Sequence, residues 1–246
     1  MRYERKYRVE ELGLAGVRAI LERHPVSFRT LYPDRQVNNI YLDTRQMTFY
    51  RENLSGVSQR RKYRIRWYGP DLLQVRRPVL EIKLKDGELG EKVSAGLPDF
   101  AVGRYPDVQQ ALRSELRALA YAAPETDAAP ERVEADAEGE SAVVVPKRRP
   151  FPVLDLVPAL LNTYRRSYLI SNDGRFRLTI DREMHFYRMG AGFRPYRNYA
   201  EDRVVVVEVK YEAADDPLYY TVGQYLPFRL GKNSKYVNGM RFVGNV

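Results

Sequence analysis

Between Gln59 and Gly69 the chain runs Gln-Arg-Arg-Lys-Tyr-Arg-Ile-Arg-Trp-Tyr-Gly. Apolar Ile65 and Trp67 alternate with Arg64 and Arg66. Side chains of an extended strand point to opposite faces with period 2, so Arg60, Lys62, Arg64 and Arg66 share one face. Like charges about 7 Å apart repel, and such a ladder requires either bulk water or a polyanion in front of it. Four more segments repeat the pattern. Tyr3, Arg5, Tyr7 and Val9 oppose Arg2, Glu4, Lys6 and Arg8, while Leu80, Ile82 and Leu84 oppose Glu81, Lys83 and Lys85. Phe176, Leu178 and Ile180 oppose Arg175, Arg177, Thr179 and Asp181, and Val205, Val207, Val209 and Tyr211 oppose Val204, Val206, Glu208 and Lys210. Strands are also expected over 36–42 and, around Tyr164-Arg165-Arg166-Ser167-Tyr168, over 159–170.

Helical spacing is confined to short stretches. Leu12, Val17, Ala19, Ile20 and Leu21 form a stripe that ends at His24-Pro25, where proline cannot continue a helix. Asp43 or Thr44 is suited to cap a helical turn over 46–52. An amphipathic helix is expected over 107–120 and another behind Pro217, whereas 232–239 is expected to be a basic loop. Asn53-Leu54-Ser55-Gly56, Asp86-Gly87 and Asn172-Asp173-Gly174 mark turns. The stretch 123–140, rich in Ala, Glu, Asp and Pro without an aromatic residue, reads as a mobile acidic loop.

Composition narrows the chemistry. A net charge of +9 over 246 residues, with a pI near 9.6, calls for an anionic partner. With no cysteine and only two histidines, thiolate metal sites and histidine-centred triads are poorly supported, and a metal would be a hard cation on carboxylates. No apolar run approaches a membrane span and Glu4 interrupts the N-terminus, so a soluble cytoplasmic protein is expected. No nucleic-acid motif is present. His24 is expected at a helix end, where a cation suits the dipole, His185 in a structural role, and Trp67 in core packing.

A solvated outer face explains one cationic ladder but not its repetition. Glu4/Lys6, Glu81/Lys83 and Glu208/Lys210 place the same Glu-x-Lys pair on three strands. The expected fold is therefore α+β: a closed antiparallel β-barrel tunnel, charged inside, with flanking helices over its apolar outer faces. Arginine and lysine along such a tunnel bind phosphate oxygens as forks and point charges. The carboxylates would repel phosphate unless a divalent cation bridged the two, which points to Mg²⁺ or Mn²⁺.

Taken in order, Glu4-Arg5-Lys6-Tyr7, 40–44, 61–69, 80–83, Tyr164-Arg165-Arg166, 177–181, 207–211 and Ser234-Lys235-Tyr236 resemble the VTC (vacuolar transporter chaperone) domain, the polyphosphate polymerase branch of the triphosphate tunnel metalloenzymes. The resemblance spans the whole chain as one VTC-like domain, 1–246. It implies transfer of the terminal phosphoryl group of ATP to a polyphosphate chain with Mn²⁺ or Mg²⁺. It implies catalytic contacts from Arg64, Arg66, Lys83, Arg166 and Arg177, and substrate contacts from Lys6, Lys92 and Lys235. Alternation adds Arg60, Lys62 and Lys210. Glu208 matches the metal ligand, with Glu4 and Glu81 as further candidates. The wider superfamily opens with Glu-x-Glu-x-Lys, but Arg2 occupies the first of those positions here, as suits a site for a long polyanion. The alternatives are a tripolyphosphate or nucleoside triphosphate hydrolase and a non-catalytic polyphosphate or inositol phosphate module. A membrane partner and the oligomeric state are left open.

Overall fold

The computed structural model describes residues 2–86, 89–102, 156–189 and 199–244. The expected helix over 107–120, the acidic stretch 123–140 and the turn at Gly87 lie outside them. The strands are β1 (Arg2–Val9), β2 (Arg29–Asp43), β3 (Gln59–Tyr68), β4 (Gln74–Val75), β5 (Val79–Asp86), β6 (Leu89–Gly96), β7 (Phe100–Ala101), β8 (Val157–Ile170), β9 (Arg177–Arg188), β10 (Tyr199–Asp202) and β11 (Val205–Glu212). One nine-stranded antiparallel sheet runs β1-β11-β9-β8-β2-β3-β5-β6, with β10 added to β9. β4 and β7 form a separate ribbon.

Among the described residues no ladder joins the outer strands β1 and β6, so the expected closed barrel is seen as a single unclosed sheet. The sheet is nevertheless strongly curled. Lys83 on β5 lies 3.9 Å from Glu4 on β1, although five strands separate them along the sheet. Their shared face is therefore concave.

Alternation determines what lies behind that face. Ile40, Tyr63, Ile65, Trp67, Leu80 and Ile82 build one outer core, in which Trp67 is buried as expected and its indole N–H donates to the Asp71 carbonyl. Tyr7, Leu178, Ile180, Val207 and Val209 build a second, covered by Val17 and Leu21 of α1 (Leu14–Glu22). α1 ends before Pro25, and His24 lies beyond it, buried, with its Nε2 3.0 Å from the Val222 carbonyl oxygen. Burial lowers the pKa of His24, which corrects the expectation of a cation serving the helix dipole. Val222 belongs to the single turn α3 (Tyr220–Gly223). Pro217 does not open that helix; it sits inside the preceding 3₁₀ turn, Ala213–Leu218.

Both expected caps hold α2 (Thr48–Ser55). The Asp43 carboxylate accepts the N–H groups of Thr44, Phe49 and Tyr50, and Thr44 Oγ1 accepts that of Thr48. Gly56, at φ +71°, closes the helix in the left-handed region.

The larger correction lies at the end of the chain. Instead of a loop throughout 232–239, α4 (Lys235–Phe242) starts at Ser234, whose Oγ accepts the Val237 N–H. Its Tyr236, Val237 and Met240 pack onto Tyr41, Leu160, Tyr164 and Phe186, covering an apolar part of the concave face. Gly239 permits this: a Cβ there would stand 2.4 Å from Phe186 and 2.5 Å from Leu160. The Tyr236 hydroxyl also donates to Asp43, tying α4 to the cap of α2.

Candidate functional site

The concave face carries Lys6, Lys62, Arg64, Arg66, Lys83, Lys92, Arg166, Lys210 and Lys235 against the carboxylates Glu4, Glu81, Asp181 and Glu208. Each carboxylate is a local node. Glu81 is bonded to Arg64, lies 2.8 Å from Lys92 and 3.7 Å from Arg66, and these cations hold it far below the usual carboxylate range against the opposing effect of burial. Asp181 accepts both arms of the Arg166 guanidinium, at 2.5 and 2.7 Å, and the Lys235 amine at 2.5 Å. Burial would raise its pKa, but Arg166 and Lys235 bring it to about 2.

The third node differs. Glu4 pairs with Lys6 and stands 3.9 Å from both Lys83 and Lys210, whereas Glu208 lies 3.3 Å from Lys210 and 3.6 Å from Arg166. The Glu4 and Glu208 carboxyl groups are within hydrogen-bonding reach of each other. Burial opposes ionisation of Glu208, yet Lys210, Lys6 and Arg166 outweigh it and keep the group ionised. Lys6 mirrors this: burial acts against its charge, and Glu208 with Glu4 raises its pKa above the ordinary lysine range.

Away from the carboxylates the balance reverses. Lys62 donates to Ser234 Oγ at 3.1 Å, and burial together with Lys6, Lys83, Arg64 and Arg60 lowers its pKa to about 7. Burial also lowers that of Lys83, although half of its side chain meets solvent. Amines that are crowded by protein and still wet are what the wall of a water-filled cleft presents. A polyanion there would relieve their mutual repulsion.

The sequence model of one family, described as VTC domain, matches residues 1–243. The chain belongs to the VTC domain family. No curated protein matches it significantly. It is similar over nearly its whole length to two solved structures. One is a putative adenylate cyclase from Vibrio parahaemolyticus, at 12% identity and TM-score 0.48, covering 96% of this chain and 97% of that one. The other is a putative adenylyl cyclase from Hippeastrum, described as having a dominant triphosphatase activity, at 14% identity and TM-score 0.48, covering 98% and 96%.

Within this VTC domain the fold brings together most of the side chains singled out from the sequence. Lys6, Lys62, Arg64, Arg66, Lys83, Lys92, Arg166, Lys210 and Lys235 line one concavity with Glu4, Glu81 and Glu208. Arg60 and Arg177 flank this set, Arg60 acting on Lys62 and Arg177 paired across strands with Lys210. The former donates to the Val57 carbonyl, and the latter is exposed at the start of β9. His185 bonds the Tyr199 hydroxyl at a distance of 2.9 Å from its Nδ1.

Sequence reasoning passed over Asp181, the group that orients Arg166 and Lys235. It stands in phase with Arg177 and Thr179, and its charge among cations was the available signal. Tyr164 was also passed over; it lies beneath the Lys235 ammonium and the Arg166 guanidinium, 4.6 and 5.3 Å from its ring centre.

Among the described residues no group of three or more Asp, Glu or His forms a ready-made metal cage. The donor set nevertheless fits a hard divalent cation. Mg²⁺ in particular is bound through one or two carboxylates, with substrate phosphates and water completing its shell. Glu4 and Glu208 offer such a pair. Glu81 is engaged by Arg64, Arg66 and Lys92.

Proposed function

We propose that this VTC domain is an ATP-dependent polyphosphate polymerase and that its curled sheet serves as a triphosphate tunnel. The observation that carries the reading is the wet, crowded concavity in which nine cations face four carboxylates, each carboxylate already tied to a cation or to the Glu4–Glu208 pair. The surplus positive charge suits a ligand with one or more negative charges per phosphorus, and its extent along several strands suits a chain of them.

In the reaction a terminal phosphate oxygen of the growing chain attacks the γ-phosphorus of ATP. The bond from that phosphorus to the β,γ-bridging oxygen breaks, ADP leaves, and the chain lengthens by one phosphate. No general base is needed, because the attacking oxygen is already anionic. Catalysis is then alignment and charge stabilisation. Arg166, fixed by Asp181, presents a rigid fork, and Arg64 and Arg66 are held toward the same lumen by Glu81. Lys83, Lys92 and Lys210 supply mobile point charges from the rim. Glu208 and Glu4 would hold a divalent cation, which when bound would neutralise charge on the phosphates. Loss of one such preorganised donor costs on the order of 10²–10³ in turnover.

Incubation of the purified protein with ATP and Mn²⁺, followed by polyacrylamide electrophoresis, tests the reading. A ladder of long phosphate chains that disappears in Arg66→Ala is expected. Release of orthophosphate without a ladder would instead establish a hydrolase, and tight binding without turnover a binding module.

A further inference from the structure

Beyond the phosphate-binding cations, one end of the concave face carries an aromatic cluster that the proposed chemistry leaves unused. The Arg35 guanidinium lies 5.4 Å from the ring centre of Tyr32, 5.7 Å from Tyr68 and 5.8 Å from Tyr168. Tyr32 and Tyr168 meet edge to face at 5.9 Å. Two of these rings remain open, Tyr32 at 41% and Tyr68 at 47% exposure.

The placement follows from register. Tyr68 is two residues beyond Arg66 on β3, Tyr168 two beyond Arg166 on β8, and Arg35 on β2 sits opposite Arg166. Each step is about 7 Å along a strand, the scale of a ribose between the phosphates and the base of a nucleotide. The cluster also lies at the opposite end of β2 from Tyr41, where α4 packs. Local irregularity in β2 aims it: the pairing with β8 shifts between Thr30 and Tyr32 and again between Tyr32 and Arg35. Such bulges redirect side chains beside functional sites. Asp34, within the bulge, turns away to Arg182 and Arg18, and among the described residues no carboxylate pairs with Arg35. An arginine held between tyrosines without an acid partner presents a flat, cationic, aromatic surface.

We infer that Tyr32, Tyr68 and Tyr168, gathered around Arg35, form a stacking platform for the base of a nucleoside triphosphate whose phosphates lie on Arg66 and Arg166. The inference rests on the reading of the concavity as a triphosphate site. It adds what that site selects: a nucleotide over inorganic tripolyphosphate, with little preference among bases, because every base offers a π face to the rings.

Titration calorimetry with the full chain decides it, using a non-hydrolysable ATP analogue and inorganic tripolyphosphate in parallel. In Tyr32→Ala/Tyr68→Ala the analogue is expected to bind roughly 5- to 30-fold more weakly, while tripolyphosphate changes by less than about 2-fold. Tyr32→Phe/Tyr68→Phe keeps the rings and is expected to match the wild type. Both replaced residues are exposed, and an unchanged affinity for tripolyphosphate is itself the control for folding. Equal weakening of both ligands, no weakening of the analogue, or failure of the wild type to bind it would each overturn the platform. If no polymer forms in the electrophoretic assay but this selectivity shift is present, the polymerase reading falls and the platform stands.

Discussion

Asp181 and Glu208 sit on adjacent strands, face the same lumen, lie almost beyond the reach of solvent and share Arg166 as a neighbour. Their coordination differs. Asp181 receives three short, charge-assisted bonds from Arg166 and Lys235, and both of its oxygens are engaged. Glu208 has only looser contacts, at 3.3 and 3.6 Å, and faces a second carboxylate, Glu4. A saturated carboxylate orients cations and has little left for a ligand, whereas a loosely held one beside another acid retains affinity for an incoming cation. One is a girder and the other a vacancy-tolerant donor, although their sequence contexts, Ile-Asp-Arg and Val-Glu-Val, give no hint of that division.

The most forceful way to break the comparison is to remove the saturated member. Asp181→Ala leaves Arg166 without its fork partner and Lys235 without its acceptor, both of them largely buried. Stranding a buried charge in this way costs about 3–5 kcal/mol, readable as a lowered urea midpoint. Glu208→Gln is expected to lower the urea midpoint by clearly less than Asp181→Ala, because its ion pairs are longer, and to reduce turnover by roughly 10²–10³, together with the dependence on added Mn²⁺. Should the two substitutions behave alike in both assays, the division between orienting and ligand-binding acids would be wrong.

Much of this was legible in the sequence, for a reason that also marks its limit. Period 2 reports the phase of each strand, so the common face of Arg64, Arg66, Glu81, Lys83, Glu208 and Lys210 could be read strand by strand. Phase says nothing about which strands meet, and the convergence of Asp181 with Arg166 and Lys235 depends on β8, β9 and α4 coming together across long sequence separations. α4 itself was hidden. Lys235, Asn238 and Gly239 look like loop residues, while the signal for a helix was the spacing of Tyr236, Val237 and Met240. Gly239 is there because Phe186 and Leu160 leave no room for a Cβ, a fact of packing that no local pattern encodes. The curl that sets Lys83 against Glu4 is likewise a property of the sheet as a whole.

A smaller effect sharpens the contrast on the side of the cations. Lys6, between two acids, is held charged, while Lys62, among cations, has its pKa lowered to about 7 by burial and by Lys6, Lys83, Arg64 and Arg60. The unfolded chain keeps Lys62 near its ordinary value of about 10.4, so between roughly pH 7 and 10 the unfolded state binds more protons and stability from this group rises with pH. Below pH 7 both states carry the charge and the full repulsion remains. Wild type relative to Lys62→Met is therefore expected to be least stable below pH 7 and to gain steadily above it in urea titrations. A bound polyanion reverses the local field. Binding of tripolyphosphate at pH 8.5 is expected to draw up to one more proton in the wild type than in Lys62→Met, measured by calorimetry in buffers of different ionisation heat.

The smallest expected effect concerns the residue that touches both halves of the comparison. Ser234 caps α4, whose first residue anchors Asp181, and its hydroxyl also accepts from Lys62. Ser234→Ala removes a helix cap at a cost of about 1 kcal/mol and frees the Lys62 amine from the hydroxyl it donates to. The Asp181 node has its own three bonds and should survive. Melting should therefore fall by only a few degrees, with proton uptake on tripolyphosphate binding retained, because the cations that depress Lys62 remain in place. If Ser234→Ala instead destabilises the chain as much as Asp181→Ala, then the helix start, and not the buried acid, is what positions Arg166 and Lys235.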